Sequence, residues 1–175
     1  LESAYEIGDT ASKVYLTAEA YQEWQYASEI LAVDSDKLFK AFVKVNGMLG
    51  DIANGDIDEV NEKLGLIGLT SEDFAGLNTE EAFEKLRDAL SECGDEATRT
   101  AIANEIFGDK LGSELTQVLS ATSEQVEALK DEAVELGIVS NEQAGIAGEV
   151  TDNVTKLKQS FSELKTELAM ELVPA

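Results

Sequence analysis

The chain has 175 residues, 43% of them hydrophobic, which is enough for one ordinary domain or two small helical ones with a real core. Thirteen basic residues against thirty-six acidic give a formal charge of -23; such a field resists self-association and repels phosphate backbones, so direct nucleic-acid binding is not expected. There is no His, which removes the commonest general base, the commonest metal ligand and the usual physiological pH switch together.

The apolar spacing is helical throughout. Leu1 to Val14 forms a first helix, weakened by Gly8, with Ala4, Ile7, Ala11 and Val14 near the 3.6-residue period. Thr17 opens a second, about Ala18 to Leu31, where Tyr21, Trp24, Ser28 and Leu31 share a face and Glu19, Glu23 and Glu29 lie elsewhere. Trp24 is a packing anchor there, because a large aromatic on an amphipathic face belongs inside; a partner contact is the alternative. Asp34 or Ser35 caps a third helix to about Ala53, carrying Leu38, Phe39, Phe42, Val45, Leu49 and Ile52, which Asn54-Gly55 ends through a left-handed position.

A short helix, Ile57 to Leu64, precedes a stop and restart at Leu64-Gly-Leu-Ile-Gly-Leu-Thr-Ser-Glu-Asp-Phe74, with Thr70 and Asp73 at capping-box spacing; Asn78 and Glu81 repeat the device. Thr79 to Cys93 sets Ala82, Phe83, Leu86, Ala89, Leu90 and Cys93 on one face and its charges opposite, and Gly94 closes it. Asp95 caps Glu96 to Phe107. Gly108 and Gly112 then mark a corner, after which Leu115, Val118 and Leu119 rejoin the core. Phe107 and Leu115 are expected inside, so Phe107→Ala should cost about 3 to 5 kcal/mol. Thr122 and Gln125 open a further helix whose core face is Val126, Leu129, Ala133, Val134 and Leu136.

Leu31-Ala-Val-Asp34, Leu64-Gly-Leu with Thr70, and Leu136-Gly-Ile-Val-Ser140 share one phrase, an apolar residue, a small one, an apolar one and then a helix-opening Ser, Thr or Asp. Their uneven spacing makes this a way of turning corners, not a solenoid repeat. From Ser140, paired with Gln143, the longest helix runs to about Glu171, roughly 45 Å at 1.5 Å per residue. Its Ala147, Val150, Val154, Leu157, Phe161, Leu164 and Leu168 alternate three and four apart, a coiled-coil seam loosened at its start by Gly145 and Gly148. Packing on its own chain is the first expectation for that seam, and pairing between copies the second.

The pattern therefore predicts an all-α, multi-helix bundle of short helices joined by Gly and capping-box corners and ending in one long C-terminal helix. It divides into an N-terminal helical segment 1–62, a central core 63–139 and the heptad-patterned helix 140–175, expected to form one compact unit. No stretch reaches the roughly 18 apolar residues of a membrane span, and the N-terminus lacks the order of a signal peptide, so a soluble chain is expected. Starting at Leu1 and stopping just after a helical pattern, it reads as a piece of a longer protein.

Little of the chain invites chemistry. Cys93, the one cysteine, cannot form an intramolecular disulfide, and at a helix C-terminus amid Glu92, Asp95 and Glu96 it lacks what would activate a thiolate. Glu80-Glu81 and Asp95-Glu96 point in different directions and fit helix starts better than glycosidase pairs. Asn54-Gly-Asp-Ile-Asp-Glu59 fails as a calcium loop, since its sixth position is Glu59 instead of Gly and its twelfth is Gly65 instead of Glu. Neither Gly65-Leu-Ile-Gly68 nor Gly108 to Gly112 follows a phosphate-binding pattern. No catalytic, cofactor-binding or metal residues are expected; the residues singled out, Trp24, Phe83, Leu86, Phe107 and Leu115 with the seam from Val154 to Leu168, are core or interaction positions.

Leu64-Gly-Leu, Leu77-Asn-Thr-Glu-Glu-Ala-Phe83, Leu86-Arg-Asp-Ala-Leu90, Glu96-Ala-Thr-Arg99, Ile106-Phe-Gly108 and Gly112-Ser-Glu-Leu115, followed by Leu136-Gly137 and a long final stretch to Pro174-Ala175, resemble in kind and order the bacteriophage tail tape measure proteins. Leu16-Thr-Ala-Glu19 and Trp24-Gln-Tyr-Ala27 are similar to the segment before them, so the resemblance covers nearly the whole chain. Asp109-Lys-Leu111 departs from it, standing where basic or small residues are expected, and the acidity is unusual for a tail-tube protein. The resemblance implies a non-enzymatic structural protein of the phage or prophage tail, without cofactors, that sets tail length during assembly in the host bacterial cytoplasm and leaves the tail lumen ahead of DNA. Implied partners are tail-tube proteins, tail assembly chaperones and copies of itself. The competing reading is a helical interaction module of a prophage-encoded or secreted protein, docking through the Trp24 side or the heptad seam.

Overall fold

A computed structural model describes residues 3–108 and 110–144. In chain order the helices are α1 (Ala4–Lys13), α2 (Ala18–Ile30), α3 (Ser35–Ala53), α4 (Asp58–Gly65), a single 3-10 turn (Ser71–Phe74), α5 (Thr79–Ser91), α6 (Glu96–Phe107), α7 (Leu111–Glu114), α8 (Thr116–Ser120) and α9 (Ser123–Leu136). There is no strand among the described residues, as the 3.6-residue spacing requires. The long C-terminal helix and its seam residues Val154, Leu157, Phe161, Leu164 and Leu168 lie outside the described residues.

Apart from α4, α7 and α8, the helices start where side chains satisfy the first free N–H groups. Ser3 and Glu6 bond reciprocally, which places the start of α1 at Ala4. The same box forms between Asn78 and Glu81, Thr122 and Gln125, and Ser140 and Gln143, with bonds of 2.8 to 3.1 Å. Asp34 accepts from Asp36 N–H, and Asp95 from Ala97 N–H and the Thr98 hydroxyl. Each such cap contributes about 1 kcal/mol and, more usefully, fixes the register at which the apolar stripe begins.

The ends are equally regular. After α1, α2, α3 and α4 the chain makes one left-handed residue, at Tyr15, Ala32, Gly55 and Gly68, and the next N–H returns to a carbonyl five residues back: Leu16 to Ala11, Val33 to Ser28, Asp56 to Asp51 and Leu69 to Leu64. This is the Schellman closure. In the Leu64-Gly-Leu corner the left-handed residue is Gly68, not Gly65, which remains inside α4. Val33, beyond its closure, is buried, whereas Leu31 is only half-buried.

The chain divides into two compact units whose boundaries fall inside α2 and α9, not at 62 and 139. Of the described residues, the first joins 3–27 to 127–144, and the second takes those between 28 and 126. In the first, Trp24 is fully buried and the Lys130 ammonium lies 5.1 Å from its ring centroid, a cation-π arrangement. Gly8 weakens α1 as a helix but admits a close approach, since a Cβ there would stand 3.0 Å from that of Ala144. The residues after α9 are stitched back by amides: Gln22 accepts from Val139 N–H at 2.9 Å and donates to its carbonyl at 2.7 Å, and Asn141 Oδ1 accepts from Ala18 N–H at 2.6 Å.

On α9 the buried stripe is Val126, Lys130 and Ala133, and Val134, expected in the core, is 52% exposed. It stands about 80° round the helix from Val126 at 3.6 residues per turn, beyond the edge of that stripe. In the second unit the core is built on α3 and α5, with Leu38, Phe42, Phe83, Leu86 and Leu90 all fully buried.

Candidate functional site

In the second unit, α6 and α7 meet in a close return of the chain. α6 ends at Phe107, and Gly108, at φ 85°, turns the chain. α7 then packs back on α6 so closely that a Cβ at Gly112 would overlap the backbone at Ala103 and Asn104 and stand 2.7 Å from the Ala103 Cβ. No other residue fits there. The Asn104 side chain holds the returning turn by accepting from Ser113 N–H at 3.0 Å and donating to Ser113 Oγ at 2.9 Å. Lys37 on α3 pairs with Glu114 at 3.3 Å, an exposed contact of small energetic weight.

This corner carries the aromatic core inward. Phe107 lies 6.1 Å from Phe83, which lies 4.4 Å from Phe42, ring centroid to ring centroid, in tilted arrangements. Phe83, Leu86 and Leu115 are fully buried and Phe107 is 1% exposed. Trp24 belongs to the other unit and is likewise closed to solvent, so the Trp24 side offers no indole face to a partner.

Two arginines do work that helical spacing does not reveal. Helical spacing puts the charges of α5 on the solvent side, yet Arg87 is 1% exposed. Its guanidinium donates to the Ala121 carbonyl, to the Asp88 carboxylate and, at 3.0 Å, to Ser123 Oγ, and Ser123 donates to Asp88 at 2.6 Å. A fork of donors thereby satisfies the turn between α8 and α9, which explains how the charge is tolerated inside. Arg99 closes the end of α5, donating to the carbonyls of Leu90 at 2.8 Å and Cys93 at 2.6 Å. Gly94, expected to close that helix, does not take the left-handed conformation; the guanidinium supplies the missing donors instead.

The acidic pairs sit at helix starts. Glu81 completes the Asn78 box, and Asp95 accepts from Thr98 Oγ1 at 2.7 Å and from Ala97 N–H, bonds that hold its carboxyl below the usual carboxylate range. Burial and a hydrogen bond to Glu132 push the Tyr26 phenol up to about 12. Cys93 is half-buried, its Sγ 3.9 Å from the Ala89 carbonyl. Among the described residues no group of three or more Cys, Asp or Glu side chains is placed to hold a metal ion, and no helix is long and apolar enough to cross a membrane. The arrangement packs: Gly112 and Asn104 fix the sharp return between α6 and α7, while buried Arg87 and half-buried Arg99 tie α5 to the α8–α9 turn and close its own end. No family model matches the chain, and no curated protein or solved structure matches it.

Proposed function

We propose that the chain is a structural segment of a phage or prophage tail tape measure protein, acting in tail length determination and assembly without catalysis, in the host bacterial cytoplasm and then the tail lumen, and leaving ahead of DNA. The observation that supports this most is an ordered set of corner residues. Leu86-Arg-Asp-Ala-Leu90, Ala97-Thr-Arg99, Phe107-Gly108 and Gly112-Ser-Glu-Leu115 resemble that family in sequence and are also the positions on which the helix corners here depend. Its partners in this reading are tail-tube and tail-assembly proteins. Inside a tube, amphipathic faces that are buried within the chain in isolation would be covered by those partners or by copies.

The test is an in-frame deletion of this segment in the parent phage, with tail length measured by electron microscopy. A ruler role expects tails shortened by up to about 1.5 Å per residue removed, the helical rise; unchanged tails of normal length overturn it. The second reading, a helical interaction module, draws support from the exposed apolar side chains Val43 and Leu66 on the second unit.

A further inference from the structure

Two shallow depressions flank α4 within residues 28–126. One, of about 520 Å³, lies among α3, α4 and the end of α6, floored by Val60, Leu64 and Phe107 with Val43 and Met48 on its wall. The other, of about 550 Å³, lies between α4 and α6 and is lined by Leu66, Ala101 and Ile102. Both include Glu59 and Lys63, so they form one surface astride α4. Val43 and Leu66, 43% and 53% exposed, bring one large apolar side chain to each depression.

The charges around this surface decide what fits. Five carboxylates line it, Asp51, Asp56, Glu59, Glu62 and Glu105, against two ammonium groups, Lys44 and Lys63. Lys63 is paired with Glu59 at 3.1 Å, and Lys44 lies over Gly108 at the carbonyl end of α6, where a cation is held by the helix dipole. The net field at the surface is acidic. A second copy, at a formal charge of -23, would meet like charge there. An amphipathic helix with an apolar stripe bordered by Lys or Arg meets both the floor and the rim. We propose that the acidic, apolar-floored surface astride α4 docks a basic amphipathic helix of a partner protein. This assignment stands whether or not the chain belongs to a phage tail.

The probe is a fluorescein-labelled peptide of about fourteen residues with Leu at helical spacing and Lys between, titrated by anisotropy against the full chain at about 150 mM salt. Two variants at exposed positions alter the surface: Val43→Ser with Leu66→Ser, and Glu59→Gln with Glu62→Gln and Glu105→Gln. A third, Glu124→Gln with Asp131→Asn and Glu135→Gln, removes the same charge from α9, and circular dichroism checks that each is folded. Each surface variant should weaken binding about tenfold and the α9 variant less than about twofold. Equal weakening by both charge variants would mean that the peptide reads only overall charge and would overturn the site. Equal binding of a peptide with Glu for Lys would overturn the basic partner. A dimer in sedimentation that Val43→Ser with Leu66→Ser abolishes would make the occupant a second copy instead.

Discussion

Single residues here do more through hydrogen bonds than their types suggest. Arg87 is enclosed by its own helix and by the turn after α8, and it is the donor for the Ala121 carbonyl. Arg87→Met keeps the volume but leaves that carbonyl without its guanidinium, while Asp88, whose side chain is 53% exposed, stays solvated. A loss of about 1 to 3 kcal/mol in urea unfolding is expected, the cost of an unmet buried acceptor; an unchanged midpoint would show that Ala121 finds water. Asp95 gives the pH dependence. Its folded carboxyl titrates below the ordinary value of 3.8, so the cap is fully present above that value and is lost as pH falls through the lower, folded one. Acid titration of α6 helicity should therefore show a step below 3.8 that Asp95→Asn removes. The two differ in legibility: Asp95 is readable as a cap because an acid before an apolar run is a helix start, whereas Arg87 looks like solvent-side charge until Ala121 is brought to it.

Helix ends show why some corners can be read and others cannot. The starts at Asn78, Thr122 and Ser140 are local, each settled by a partner three residues on and read as such in sequence, whereas the Ser3 box begins α1 at Ala4, three residues after the Leu1 that the apolar period suggests. The ends at Tyr15 and Ala32 are less so, because a left-handed position normally calls for Gly and these carry side chains at φ 64° and 58°. Ala32 bears a steric cost of about 1 kcal/mol that Gly would not. Ala32→Gly is thus expected to raise stability by up to about 1 kcal/mol, although Gly in a helix would ordinarily lower it; a fall in thermal midpoint would mean that the extra freedom of the unfolded chain outweighs the relief. Gly112 illustrates the opposite limit. Its presence in the sequence marks a turn, but the need for Gly arises from the backbone of α6, which only packing puts there.

At the scale of the whole molecule, the all-helical class is carried by period alone, and so are most core residues of α1, α3 and α5. The division into units is not. A reader of the sequence sees three consecutive segments, because composition and corner spacing are properties of neighbours along the chain, while the first unit brings residues before 28 together with residues after 126. The second unit, in contrast, contains its own core: Phe42, Phe83, Phe107, Leu86 and Leu115 all lie between 28 and 126. Residues 28–126 produced alone should give a helical circular dichroism spectrum and one cooperative thermal transition. A broad, non-cooperative melt would show that the second unit needs the rest of the chain.

The amide stitches from Gln22 to Val139 and from Asn141 to Ala18 bear on birth instead of on the finished state. A ribosome releases Gln22 long before Val139 exists, so α1 and the first turns of α2 must wait, with Trp24 uncovered, until the intervening chain has been made. By then the middle has had time to fold, which shortens the effective loop that the two ends must close. Within this chain, α1 and α2 are thus the helices that wait longest for their partners and are exposed longest to chaperones or to misassociation.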